Sequence, residues 1–369
     1  MKSPTLPLVA AALLVSPLAL QAATAKHFYS HYNGKEGAVA SLKVQTEPPA
    51  FGAHPKLFGD AEAFRLTRLR MGPDGRLFGM NEHNEAPWIL AIDASKAPAT
   101  AKRIPLADRP TELRTVGPGV VASGHRGMLH LIDPKKDAVV ASWTPPADIA
   151  RVTDFSVMPD ASALVAVARQ DTLGGGRKGH RVLIVDLPAM KLRHDLPIPR
   201  DQPNVHYSGA SKDNGPGPLF TVISPESNTL LVGLNTYGAI LLADLDAALK
   251  GAWKNVKTLP TSKDGAWGVS FPGSAIPFAF AGRQYVLVSN ASQAGGSVLV
   301  DLAARKILQH LDTAPRGMIA TSLVPGSKQL VIAHSGIEYF RGVTGIEDKH
   351  VEPSYFTRID LAPLETGGP

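Results

Sequence analysis

Ser224 to Leu245, SPESNTLLVGLNTYGAILLADL, decides how the whole chain is read. A turn-forming cluster, Pro225-Glu-Ser-Asn228, precedes an apolar run, Thr229 to Leu234. A second short polar break leads into Ala239 to Leu242, which stops at Asp244. Apolar runs of this length, bounded by turn residues, fit buried strands better than helices. Asp at the end of a strand accepts hydrogen bonds from turn N–H groups, so its position is explained without chemistry.

The same grammar recurs along the chain, and internal repetition is the first thing to establish at this length. Trp88 to Asp93 (WILAID), Met128 to Asp133 (MLHLID), Arg181 to Asp186 (RVLIVD), Ser297 to Asp301 (SVLVD) and Phe356 to Asp360 (FTRID) all close on Asp. Each follows an apolar run, a turn and another apolar run. Six such units, about 40 to 50 residues apart, have the period of four-stranded propeller blades. His27 to Val44 supplies a seventh, read as second and third strands whose closure requires pairing with the C-terminal strands. The expectation is an all-β, seven-bladed β-propeller of four-stranded antiparallel blades, with six or eight blades as alternatives. It forms one domain over 26–369, with units at about 27–50, 64–106, 111–146, 152–199, 219–260, 266–312 and 317–365. Runs with helical periodicity are few, and the best of them, Leu242 to Trp253, is read as a loop helix.

The units GPDGRLFGMNEHN…WILAID (72–93) and SPESNTLLVGLNTYGAILLADL resemble the YVTN-type repeats of bacterial seven-bladed propellers. That group takes in the heavy subunit of methylamine dehydrogenase and propeller-type lactonases. The resemblance covers nearly all the chain after residue 25, in repeat grammar and not in a catalytic motif. It implies ligand or partner binding on one face, and some members are structural subunits.

Composition agrees and excludes. The 369 residues include 34 Gly and 31 Pro, which suits many turns, and 44% hydrophobic residues, which suits a substantial core. There is no Cys, which removes disulfides, thiolate metal sites, iron–sulfur clusters, covalent haem c and a Cys nucleophile. Lys2, the apolar stretch Leu6 to Leu20 and Ala23-Thr-Ala25 have the order of a Sec-type signal peptide. Cleavage after Ala25 would place the protein in the periplasm or outside the cell, and no later run is apolar enough to span a bilayer. The net charge of +6 is dispersed, with no basic stripe interleaved with aromatics, so nucleic acid is not the expected partner. A periplasmic protein partner or a small polar or anionic ligand fits better.

No G-x-S-x-G elbow, H-E-x-x-H helix, P-loop or EF-hand spacing occurs, and the four Trp do not recur as a quinone-docking PQQ motif. The glycine run Leu173 to His180 leads into a strand, not a helix, so it reads as a loop and not a phosphate cradle. Aligned at the end of the second strand, the units present His31, His83, His125, Arg169, Asn235, Asn290 and His334. Three readings stay open. His31, His83, His125 and His334, with Glu82, Glu85 or Glu338, have the donors for zinc or copper. Alternatively the set lines a polar ligand site, with Arg169 and the Asn side chains as donors. The third reading is that these residues cap strand ends. Tyr339, Phe340 and Arg341, in the insert Ser335 to Ser354, add an aromatic–Arg cluster of the kind that anchors partners. An enzyme reading, lactonase-like hydrolase or His/carboxylate oxidoreductase, is the alternative to a binding module.

Overall fold

The computed structural model describes residues 26–33, 36–43, 50–52, 66–81, 87–93, 100–117, 119–124, 127–169, 180–199, 217–267, 272–290, 296–311, 318–323, 328–334 and 355–365. Among them the strands fall into seven antiparallel sheets, five of four strands and two of three, each a meander of consecutive strands. The first holds β1 (Lys26–Asn33), β2 (Glu36–Lys43) and β3 (Ala50–Gly52). The second holds β4 (Leu66–Met71), β5 (Leu77–Asn81), β6 (Trp88–Asp93) and β7 (Thr100–Pro105). The third is β8 (Pro110–Val116), β9 (Gly119–Gly124), β10 (Leu129–Asp133) and β11 (Ala138–Trp143). The fourth is β12 (Arg151–Val157), β13 (Ala163–Arg169), β14 (Arg181–Asp186) and β15 (Lys191–Pro197). The fifth is β16 (Pro218–Ser224), β17 (Thr229–Leu234), β18 (Ala239–Asp244) and β19 (Lys257–Pro260). The sixth is β20 (Pro272–Phe280), β21 (Arg283–Asn290), β22 (Ser297–Asp301) and β23 (Lys306–Leu311). The last holds β24 (Met318–Leu323), β25 (Gln329–His334) and β26 (Tyr355–Asp360).

Two details differ from the sequence reading. The N-terminal strands make a sheet of their own and, among the described residues, share none with the C-terminal ones. β1 and β2 pair with each other from Asn33↔Glu36 out to Lys26↔Lys43, with β1 at the edge of the sheet. The loop helix is shorter than its periodicity, α1 (Leu245–Leu249), and buries Leu245 and Ala248. A final turn, α2 (Ala362–Glu365), follows β26. Among the described residues no helix is long and apolar enough to cross a membrane.

The chain divides into two compact units, 1–142 with 322–327 and 143–321 with 328–369. In the first, Phe78, Ile89 and Ile104 of the second sheet pack with Leu113, Val120 and Ile132 of the third. In the second, the fifth sheet is covered on both faces. Leu230, Val232 and Leu241 pack with Val165, Val167 and Ile184 of the fourth sheet. Phe220, Leu231 and Ile240 pack with Val286, Val288 and Val298 of the sixth. Burial on both faces is why β17 and β18 read as unbroken apolar runs and not as alternation. Phe220 lies so close over Gly233 that a Cβ there would sit 2.3 Å from its ring. The fourth strands are different: β15, β19 and β23 each open on Lys (Lys191, Lys257, Lys306) and are largely exposed or half-buried. Charge on an outer strand protects an open edge from pairing with another chain.

The turn after the third strand is built the same way three times. Asp133, Asp186 and Asp301 accept backbone N–H bonds of 2.8–2.9 Å from Lys135, Ala189 and Ala304. Four residues after each Asp the chain enters the left-handed region, at Asp137 (φ 49), Met190 (φ 47) and Arg305 (φ 49). The recurring Asp is therefore a turn residue, as its position in the sequence implied. Arg305 also reaches Asp244 (2.5 Å) and the carbonyl of Asn228 (2.8 Å), tying the fifth and sixth sheets at this end.

Candidate functional site

In a four-stranded meander, the ends of strands two and four and the starts of strands one and three lie together at one end of the sheet. At the opposite end the connections are mostly short: β14 to β15 spans 186–191, β16 to β17 224–229, β20 to β21 280–283 and β22 to β23 301–306. At this end some are much longer, β13 to β14 spanning 169–181, β15 to β16 197–218 and β19 to β20 260–272, whereas β9 to β10 spans 124–129 and β17 to β18 234–239. Long connections on a rigid scaffold are where binding and catalytic groups concentrate.

Arg169, Asn235 and Asn290 stand at this end of the fourth, fifth and sixth sheets, in equivalent positions. Arg169 closes β13 and donates from Nε to the carbonyl of Pro218 at 2.7 Å. Asn235 begins a 3-10 turn (Asn235–Tyr237) and donates from Nδ2 to the carbonyl of Pro272 at 3.0 Å. Pro218 and Pro272 are the first residues of β16 and β20, a strand position that tolerates proline because no ladder N–H is needed. Each donor thus clasps the first strand of the following sheet. Asn290 instead reaches back from Nδ2 to the carbonyl of Thr261 (3.4 Å), after β19, and is buried. Its Oδ1 meets no hydrogen-bond partner among the described residues.

His31 lies in β1 opposite Ala38, and His334 is the last residue of β25, opposite Tyr355. His83, His125, Tyr339 and Arg341 lie outside the described residues, as do Glu82, Glu85, Glu338 and Phe340. Among the described residues no group of three His, Asp or Glu is placed to hold a metal ion.

Two buried polar clusters were not singled out from the sequence. Arg181, which opens β14, is 2% exposed and held by two carboxylates, Asp195 at 2.5 Å and Asp148. The other is His130, 1% exposed, between Ser142 and Asp108. Burial pushes its imidazole below the ordinary histidine value, and the nearby Asp108 opposes this only in part. A signal for it exists in the sequence. Three residues before the closing Asp, the other four-stranded sheets carry Leu90, Leu183, Leu241 and Val298, and β10 carries His130.

No family model and no curated protein matches this chain. Among solved structures 1393 chains match, a breadth that speaks for a common architecture and not for one activity. One is a protein from Bacteroides uniformis ATCC 8492, provisionally described as a 6-phosphogluconolactonase. It aligns over 90% of this chain and 98% of its own at 16% identity, with a TM-score of 0.56. At that identity the likeness extends to the fold: this chain is all-β and propeller-type, built from consecutive four-stranded antiparallel sheets.

Proposed function

We propose that the chain is an exported seven-bladed propeller, cleaved after Ala25, which binds a small polar or anionic ligand where the second strands of its blades end. The observation that carries this reading is the asymmetry between the two ends of the sheets. One end carries mostly short turns, three of them anchored by Asp, with 244–257 as the longer exception, and the other carries the longest connections and the buried guanidinium of Arg181. His31, His83, His125, His334, Tyr339 and Arg341 are the proposed ligand contacts. Arg169 and Asn235 position the connections through their clasps.

The test is binding by the secreted protein to a panel of sugar lactones, sugar phosphates, acidic oligosaccharides and zinc or copper, read by calorimetry and by melting temperature. A ligand should bind the native protein and fail to bind His83→Ala/His125→Ala/Arg341→Ala at unchanged melting temperature. Full binding by that variant would refute the site. A second reading, hydrolysis of a sugar lactone, is favoured by the description of the Bacteroides protein. Enzymatic turnover of 6-phosphogluconolactone above the rate of its spontaneous hydrolysis would select it over binding alone.

A further inference from the structure

The third strands of the four-stranded sheets are buried apolar runs, and His130 is the polar exception within its run. Both ring nitrogens face a defined partner. Nδ1 lies 2.9 Å from Oγ of Ser142, on the adjacent strand β11. Nε2 lies 3.8 Å from Oδ1 of Asp108, in the connection between β7 and β8. That carboxylate occupies space only a glycine leaves open: a Cβ on Gly124 would stand 1.5 Å from Asp108 Oδ1.

The surroundings set the tautomer. A carboxylate facing Nε2 favours the proton on that nitrogen, which leaves the Nδ1 lone pair to accept the Ser142 hydroxyl proton. Burial keeps the ring neutral near pH 7 and so available as a base. His130 and Asp108 are buried or nearly so, with 1% and 10% of their side chains exposed, whereas Ser142 is open to solvent. The separation of 3.8 Å from Asp108 exceeds a hydrogen bond, a looseness common in unliganded sites.

We propose that Ser142 is a nucleophile, activated by His130 as general base and oriented through Asp108, that accepts the acyl group of activated esters. In the first step Ser142 Oγ bonds to the ester carbonyl carbon and its proton passes to His130 Nδ1. The bond from that carbon to the leaving oxygen breaks, and the leaving alcohol takes the proton from Nδ1. Water then repeats the sequence on the acyl-serine, giving its proton to Nδ1, and releases the carboxylic acid and the free hydroxyl. Asp108 is a positioning residue, and Gly124 keeps its place open. The inference does not depend on what binds at the second-strand ends.

The probe is a fluorophosphonate, applied to the full chain and read by intact mass and peptide mapping, with p-nitrophenyl acetate turnover as the second readout. One label per chain is expected, on Ser142, with a rate that rises through an inflection below pH 6.5 and is level above it. His130→Gln should slow labelling at least tenfold. Asp108→Asn and Gly124→Ala should slow it severalfold and displace the inflection, which a purely structural role would not do. Absence of label on Ser142 in folded wild-type protein would overturn the proposal. So would labelling that rises with hydroxide without an inflection, or that Asp108→Asn leaves unchanged. The wild-type pH profile and the Asp108 variant keep the test decisive even where His130→Gln does not fold.

Discussion

Arg181 offers the most quantitative test of how the fourth sheet is held. Its guanidinium is 3% exposed, whereas the two carboxylates that hold it are each about one-third exposed (Asp148 34%, Asp195 33%). The burden of burial therefore falls on the cation. With Asp148→Asn alone, Asp195 still pairs the guanidinium at 2.5 Å, and the reverse holds for Asp195→Asn. Each single change should cost about 1–2 kcal/mol, the net worth of one charge-assisted hydrogen bond partly screened by solvent. With both changed, the cation stays buried with neither carboxylate, a state that costs about 3–5 kcal/mol or more in other proteins. The double variant should exceed the sum of the singles by about 1–2 kcal/mol. Replacing the cation as well, Arg181→Met with both Asn changes, should recover most of that excess, because nothing charged is then left buried. The assay is urea unfolding followed by tryptophan fluorescence, comparing midpoints at constant slope. Strict additivity of the two Asp changes, or a triple variant no more stable than the double, would refute the reasoning.

Three further outcomes follow from the geometry. Ala281 (φ 48) and Gly282 (φ 75) form the two-residue turn between Phe280 and Arg283, the pattern of a type I′ hairpin. Ala281→Asn should raise stability by about 0.5–1 kcal/mol, since Asn tolerates the left-handed region better than Ala, and a lower urea midpoint would contradict this. Gly233→Ala should cost about 1–3 kcal/mol, because its Cβ would stand 2.3 Å from the Phe220 ring, and a Phe220→Leu partner should recover part of the loss. The lowered pKa of His130 means that the unfolded chain binds a proton at higher pH than the folded one. Stability should therefore fall as pH drops below the unfolded value of about 6.5, until the folded pKa is passed. His130→Gln should remove that part of the pH dependence in melting curves from pH 7.5 to 4.5.

How far the sequence spoke for the structure varies with the kind of signal. The third strands were legible because each is buried on both faces and stops at Asp, so apolar run and turn residue coincide at 88–93, 181–186 and 239–244. β20 was hard to read because Pro277 and Gly273 sit inside a nine-residue first strand, and its pairing with β21 overrides their low strand propensity. The candidate residues were legible only as positions. Aligning the second-strand ends picked out Arg169, Asn235 and Asn290, but no spacing rule announces that Pro218 and Pro272 stand in the next sheet to receive the first two. His130 was passed over because it lies within a run whose neighbours, Leu129 and Ile132, satisfy the strand pattern without it.

The clasps bear on where further chemistry should be sought. A repeat architecture uses the same position in successive units to join neighbours, so alignment of units enriches for joining residues as readily as for binding ones. Arg169 spends its Nε and Asn235 its Nδ2 on carbonyls of the following sheet, bonds that join neighbouring sheets. A functional group in such a fold is better recognised by departure from the repeat than by recurrence within it. Arg181 and His130 meet that criterion. A buried cation stands where β18 has Ala239, at the start of the third strand, and an imidazole stands where β14 and β18 have Leu183 and Leu241. Both carry the cost of a polar group in an apolar position, and each faces a carboxylate brought in by a connection between strands, Asp148 for Arg181 and Asp108 for His130, with Asp195 of β15 as the second partner of Arg181. The long end of the sheets is thus fixed by recurring residues and differentiated by singular ones, of which Arg181 bears on stability and His130, beside the exposed Ser142, on chemistry.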